Sequence, residues 1–342
     1  MKAIEYTHTG APDVLKLVER EPQAPGPDEV RVRIAVSGVN PTDWKARAGN
    51  GDGAALAHPQ VPGQDGAGIV DAVGANITHV SPGDRVWVWD AAYGRTEGTT
   101  QELAVIPEAQ VVKLAPRVSF DVGASVGIPA LTAHRALTAR DTGPTELEPG
   151  ALAGVFVLVT GGAGAVGHAA IQLAVWAGAT VITTVSGDEK GRLAKAAGAH
   201  HVINYTAVDV AAAVRAIIEP GVDIIVDVNA LANIDSDLEV IARGGTVSIY
   251  AATGSDKLAI PMRPAMGKNV RVQFILTYTT TPAQKHAAVS AVNAAMRDGA
   301  LAIGAAAGLP VERFDLAHTA DAHASVAADF VGKVLIDVAD LG

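Results

Sequence analysis

The stretch Val155-Phe156-Val157-Leu158-Val159-Thr160-Gly161-Gly162-Ala163-Gly164-Ala165-Val166-Gly167 constrains this chain more than any other. Its opening apolar run reads as a strand covered on both faces, the habit of a parallel sheet. Gly162, Gly164 and Gly167 follow in G-x-G-x-x-G spacing, then a helical stretch, His168 to Trp176, and a second apolar run, Thr180 to Val185. In that setting the glycines turn the chain, let backbone N–H groups approach a pyrophosphate, and let helix pack on strand. The helix N-terminus adds unpaired N–H groups and a dipole that favours an anion. The pattern predicts dinucleotide binding by Thr160, Gly162, Ala163, Gly164, Ala165, Val166 and Gly167.

The next strand selects the cofactor. It ends in Val185-Ser186-Gly187, with no Asp or Glu at its tip to hold a ribose 2′-hydroxyl. Ser186, Lys190 and Tyr205 (after the following strand) offer hydroxyls and an ammonium, which suit a 2′-phosphate, while Asp188 and Glu189 stand nearby as counter-evidence. NADPH (NADP+) is the expected cofactor. Asn229, after the fourth strand of the sheet, and Tyr250, after the fifth, would face it if the strands' C-terminal ends line the crevice.

Strand and helix alternate regularly from there through Leu193 to Ala197, His201 to Asn204, Val210 to Ile218, Asp223 to Val228, Leu238 to Ala242 and Thr246 to Tyr250. Before Pro116 the pattern differs. Val30, Val32 and Ile34 alternate with Arg31, Arg33 and Ala35, and Pro-Gly turns separate short apolar runs, as in a β-rich barrel or sandwich. A helix spans Asp121 to Ala139 with Pro129 interrupting it. After Leu258 come an alternating strand at Val270 to Phe274, a helix at Pro282 to Asp298, a strand at Val311 to Phe314, a short helix from His318 to Asp329, and a strand at Lys333 to Val338. The N-terminal region lacks a closing strand of its own, so the C-terminal tail is expected to return to it.

Composition removes other classes. With 49% hydrophobic and 18% charged residues, the chain can offset its folding entropy by burial. The absence of cysteine excludes disulfides, thiol nucleophiles and thiolate metal sites. A net charge of -10 disfavours nucleic acid. No long uninterrupted apolar stretch is present, so no membrane span is expected and the reading is a soluble cytoplasmic protein.

Across nearly its whole length the chain resembles the medium-chain dehydrogenase/reductase superfamily, and within it the zinc-independent quinone oxidoreductases that include zeta-crystallin. The likeness is carried by Gly38-Val39-Asn40-Pro41-Thr42-Asp43, Pro62-Gly63-Gln64-Asp65-Gly66-Ala67-Gly68, Pro82-Gly83-Asp84-Arg85-Val86, Gly127-Ile128-Pro129-Ala130-Leu131-Thr132-Ala133-His134, the glycine loop, and Gly332-Lys333-Val334-Leu335. The resemblance implies an α/β fold: a Rossmann-type doubly wound parallel sheet, residues 123–271, inserted in a β-rich GroES-like catalytic domain, residues 1–122 plus 272–342. It implies Asn40, Asp43 and Thr132 near the nicotinamide and substrate, and Lys333 near the cofactor. Asn40-Pro41 is also a turn signal, and Asp43 is equally suited to cap a helix beginning near Trp44. Zinc members use Cys and His where this chain has Asn40 and Gln64, so no metal is expected. The ten histidines, His318 and His323 included, read as exposed or hydrogen-bonded.

The implied activity is hydride transfer from NADPH to a quinone, or to a similar activated carbonyl or enone, without metal. Its alternatives are a 2-alkenal or enoyl C=C reductase and an NADPH-binding structural or regulatory protein. One departure bears on this: family loops carry Gly-x-Tyr where this chain has Gly49-Asn50-Gly51-Asp52-Gly53. Trp44, Trp87, Trp89 and Tyr93 are candidates for a stacking wall. The alternating strand at Val270 predicts pairing with a second copy, a homodimer, with a tetramer as the alternative.

Overall fold

The computed structural model describes residues 1–252, 254 and 257–341. It divides into two compact units, one of Met1–Ile128 with the tail from Val311, the other of Pro129–Pro310. The first begins with β1 (Lys2–His8), β2 (Lys16–Glu19), β3 (Glu29–Val39), α1 (Pro41–Ala48), β4 (Ala55–Gln60), β5 (Asp65–Val73), β6 (Arg85–Val88), β7 (Leu103–Pro107) and β8 (Val111–Lys113). The boundary falls within α2 (Phe120–Leu137).

The second unit alternates β9 (Phe156–Thr160), α3 (Ala165–Trp176), β10 (Thr180–Val185), α4 (Asp188–Ala196), β11 (His201–Asn204), α5 (Val210–Ile217), β12 (Val222–Asp227), α6 (Ala230–Val240), β13 (Ile241–Ile249), α7 (Met262–Lys268) and β14 (Arg271–Phe274), followed by α8 (Pro282–Arg297). Its six parallel strands run β11-β10-β9-β12-β13-β14, two mononucleotide-binding halves that meet where β9 adjoins β12. Val157, Leu158, Val181, Ile182, Ile224, Ile225 and Val247 are at most 1% exposed, which is why these strands read as unbroken apolar runs.

β15 (Val311–Asp315), α9 (Thr319–Ala327) and β16 (Lys333–Asp337) return to the first unit. There β16 pairs antiparallel with β3, Val334 opposite Val39, within a seven-stranded sheet of β15-β16-β3-β5-β6-β8 with β7 also on β3. The alternating residues Val30, Val32 and Ile34 face a core with Val86, Ile106 and Ile336. The returning tail expected from the sequence is thus β16.

Four expectations need correction. The inserted unit runs to Pro310, not 271: β14 is its sixth strand, and beyond α8 the chain packs on α3, where Gln172 Nε2 donates to Ala302 O (3.2 Å) and Trp176 Nε1 to Asp298 Oδ2 (3.0 Å). The stretch Leu238 to Ala242 is not one helix, because α6 ends at Val240 and β13 starts at Ile241. Pro129 does not interrupt α2, which continues through it. His323 is neither exposed nor hydrogen-bonded: it is 1% exposed and its Nδ1 has no partner.

Candidate functional site

In the second unit the glycine loop joins β9 to α3. Gly164 is the N-cap of α3 and provides no side-chain cap, so the N–H groups of Ala165, Val166 and Gly167 open the helix without intrahelical acceptors. A Cβ on Gly162 would stand 2.1 Å from Thr183 Oγ1, so that glycine is a packing requirement. One on Gly164 would meet nothing nearer than Gly161 O at 3.5 Å, so the space before the helix is open. An open cradle of backbone donors at a helix N-terminus fits a dinucleotide's pyrophosphate. Ala163, within the loop, is buried.

At the tip of β10, Lys190 Nζ donates to Ser186 Oγ at 3.0 Å, one turn into α4. Asp188 and Glu189 are exposed, and Glu189 is engaged by Arg192. Neither acid is bonded to the Ser186–Lys190 pair, which is closed by its own hydrogen bond. Tyr205 follows β11 and is 53% exposed. Asn229 and Tyr250 line a cavity of about 350 Å³ with Leu231, Leu258, Phe274 and Leu276, at the C-terminal ends of β12, β13 and β14. The geometry brings together the loop, the β10 tip and these two residues on the same strand-end side of one sheet.

Thr160 belongs to a network that the sequence reading missed. Its Oγ1 donates to Asp227 Oδ1 (2.7 Å) and accepts from the Val228 N–H (3.0 Å), tying the end of β9 to the end of β12. The same Asp227 oxygen accepts from the Asn229 N–H (2.9 Å) and Asn233 Nδ2 (2.8 Å). An acid ending an otherwise apolar strand, Ile224-Ile225-Val226-Asp227, was the available signal.

In the first unit Asn40, Asp43 and Lys333 converge, joined by Asp65. Lys333 Nζ donates to Asn40 Oδ1 (2.7 Å) and Val39 O (3.1 Å), and lies 3.9 Å from Asp65 Oδ2. Asn40 Nδ2 donates to Asp65 Oδ2 (2.8 Å), so ammonium and carboxylate fix the orientation of the amide. Asp65 also accepts the Ile128 N–H at 3.0 Å. Asp43 sits in the first turn of α1 and accepts the Asn40 N–H at 2.7 Å. The helix thus begins at Pro41, earlier than the expected Trp44, and Asp43 closes back on its N-cap. Burial pushes Asp43 up to about 6, against the pull of the Asn40 N–H and Lys333. Burial likewise raises Asp65 and lowers Lys333, each partly offset by the other's charge. Gln64 Oε1 accepts the Ala92 N–H at 3.1 Å. Thr132 lies buried on α2 in the other unit. Trp87 is fully buried core, so it forms no stacking wall.

A family model described as zinc-binding dehydrogenase matches residues 165–294, and one described as alcohol dehydrogenase GroES-like domain matches residues 26–117. A quinone oxidoreductase of Lama guanicoe is 31% identical over 98% of this chain and 97% of its own length. Among solved structures, an NAD-dependent alcohol dehydrogenase superposes with a TM-score of 0.83 at 26% identity, covering 99% of this chain and 100% of its own. A quinone oxidoreductase of Escherichia coli complexed with NADPH gives 0.79 at 25% identity, covering 98% and 100%.

Proposed function

Because the chain belongs to the medium-chain dehydrogenase/reductase superfamily, as an oxidoreductase of its zinc-independent quinone-oxidoreductase type, we propose that it is an NADPH-dependent reductase of quinones or similar activated carbonyls and enones. The observation that carries the cofactor choice is the tip of β10: Ser186 and Lys190 are hydrogen-bonded to each other there, and the nearby acids are turned to solvent. In this reading the N–H groups of Ala165, Val166 and Gly167 hold the pyrophosphate, Ser186, Lys190 and Tyr205 hold the 2′-phosphate, and Asn229 and Tyr250 border the nicotinamide end.

NADPH supplies a hydride, and a quinone that accepts it takes up one further proton to become the hydroquinone. An acceptor of this kind is already electrophilic, so the protein's task is chiefly to hold it in place and stabilise developing charge. Asn40 is assigned to hydrogen-bond the carbonyl oxygen, and Thr132 keeps the role near the substrate that the resemblance implies. Asp43 is assigned to hold Asn40, and Lys333 to set the orientation of the Asn40 amide. The glycine-rich segment Gly49 to Gly53 favours a second substrate class, activated C=C bonds, because it brings no aromatic ring to stack on a quinone. The edge of β14, unpaired among the described residues and with Phe274 61% and Leu276 56% exposed, supports a homodimer formed there.

Steady-state NADPH oxidation with phenanthrenequinone, benzoquinone and an enal tests the reading. Turnover of the quinones with the higher kcat/KM is expected; preference for the enal moves the assignment to the C=C reductases, and NADPH binding without turnover of any acceptor refutes the enzyme. Lys190→Ala is expected to weaken NADPH by roughly tenfold while leaving NADH nearly unchanged. Equal effects on both would remove Lys190 from the phosphate site.

A further inference from the structure

Asp227 and Asp237 lie in the interior of the second unit, at 0% and 1% exposure. Their Oδ2 atoms are both buried without a hydrogen-bond partner, and Asp227 acts on Asp237 to raise it. Two carboxyl oxygens form a hydrogen bond only when a proton lies between them. The acceptor can be identified. Asp227 Oδ1 already receives Thr160 Oγ1, the Asn229 N–H and Asn233 Nδ2, so Asp227 is the acceptor of this cluster and a proton placed between the two unpartnered Oδ2 atoms is assigned to Asp237. Asn233 and Asp237 are one turn apart on α6, so the helix face that bonds Asp227 through Asn233 also carries Asp237.

The grip has a location that matters. Asp227 ends β12 and Thr160 ends β9, and these adjacent strands flank the point where the strand order reverses, where a Rossmann sheet binds its ligand. The Asp227 C=O also accepts the Tyr250 N–H at 3.2 Å. One carboxylate therefore connects Thr160, at the head of the glycine loop, with Asn229 and Tyr250, which border the cavity.

We propose that Asp237 is a positioning residue for the nucleotide site: as a neutral acid it donates its proton to Asp227, and so holds the glycine loop and the Asn229 turn in register. Ionisation of Asp237 would set two carboxylates against each other in the core. Burial and the facing Asp227 both hold Asp237 in the neutral form well above the usual carboxylate range. Other charges near α6 do not relieve the pair. Asp235 and Glu239 on the helix are exposed, Arg215 of α5 donates to Glu239 O, and Lys268 of α7 spends its bonds on the carbonyls of Leu238, Glu239 and Ile241. The Tyr250 phenol is itself pushed up by burial and by Asp227, so it remains neutral.

The consequence for binding rests on the NADPH reading; the shared proton does not. The test is therefore in two arms. Without nucleotide, carboxyl-¹³C aspartate NMR is followed from about pH 5 to 9 in wild type and Asp237→Asn. Burial also raises Asp65, so the signal is identified by its loss in the variant: the expectation is an aspartate that stays protonated past neutrality in wild type and is missing from Asp237→Asn; titration of Asp237 in the ordinary carboxylate range overturns the proposal. In the second arm NADPH binding is measured by fluorescence. Wild type is expected to lose affinity as alkaline pH ionises Asp237; Asp237→Asn, which keeps a donor, is expected within about twofold of wild type at neutral pH and without that alkaline loss, whereas Asp237→Ala is expected about tenfold weaker. Wild-type affinity in a folded Asp237→Ala overturns the positioning role, and if that variant does not fold, persistence of the alkaline loss in Asp237→Asn does so instead. Failure of every form to bind NADPH refutes the cofactor reading and leaves the titration to decide the proton.

Discussion

Lys333 is a cation set against two carboxyl groups in the first unit, and none of the three is more than 4% exposed. Removing one partner of such a group leaves the rest buried and uncompensated, which is far costlier than the net worth of the intact set. Lys333→Met is expected to lower unfolding free energy by about 3–5 kcal/mol, read from the urea midpoint. The loss should be smaller in mild acid, where Asp43 and Asp65 can take up protons. The histidines give the opposite pH slope. Burial lowers His134 and His168 to about 4 and His323 to about 3, so their contribution is full above the ordinary value of 6.5 and is lost as pH falls through 4. Asp43, raised to about 6, contributes below its ordinary value of 3.8 and loses that contribution as pH rises through 6. His168 Nε2 is 2.8 Å from Ala307 O, a bond that a glutamine can imitate without titrating. His168→Gln should flatten the fall in unfolding free energy between about pH 6.5 and 4, by up to about 3 kcal/mol. An unchanged acid slope would show that His168 protonates freely in the native state. At this scale the sequence was least informative: Asn40, Asp43 and Lys333 were named individually, but the Asp65 that links them stood only within the Pro62 to Gly68 motif with no role assigned, and Asp237 carried no signal because a carboxylate on a helix ordinarily faces water.

Elements were more legible than residues because their signals are periodic. β9 and β12 read as strands from apolar runs, and α3 from the helical spacing after the glycines. The start of β13 was missed because Arg243-Gly244-Gly245 looks like a turn; those residues instead lie inside the strand, next to a register shift against β12 between Val222 and Ile224. In α2, Pro129 removes one N–H from the helix ladder, and the neighbouring Ile128 N–H goes to Asp65, so the helix continues through a place where local sequence argued for a break. The loop between β9 and α3 makes the element-scale prediction. Gly162→Ala should destabilise the protein by about 1–3 kcal/mol, because its methyl meets Thr183. Gly164→Ala should leave the melting temperature close to wild type and weaken NADPH by about tenfold, since its methyl enters the open cradle. If both variants lose stability alike, Gly164 is structural and the cradle is not open to a ligand.

At the scale of the molecule, the discontinuous first unit was readable from a β-rich region short of a strand and an apolar run near the C-terminus. The place where the chain returns was not. An amphipathic helix such as α8 shows that it has an apolar face, but not which sheet that face will cover. The exposed edge of β14 is expected to pair with a second copy: wild type should scatter light as a dimer at micromolar concentration, and Phe274→Glu should shift it toward monomer. A monomeric wild type would show that the edge is left to solvent.

The pairing of β16 with β3 also sets an order in time. Val39 and its partner Val334 are separated by nearly the whole chain, whereas the second unit is one uninterrupted stretch. At about 5–20 residues per second, roughly 15–60 s separate the synthesis of β3 from that of its partner. The nucleotide unit has all its strands well before that. The first unit, although it contains the beginning of the chain, is therefore the one that finishes last, and β3 must be kept from other partners in the interval.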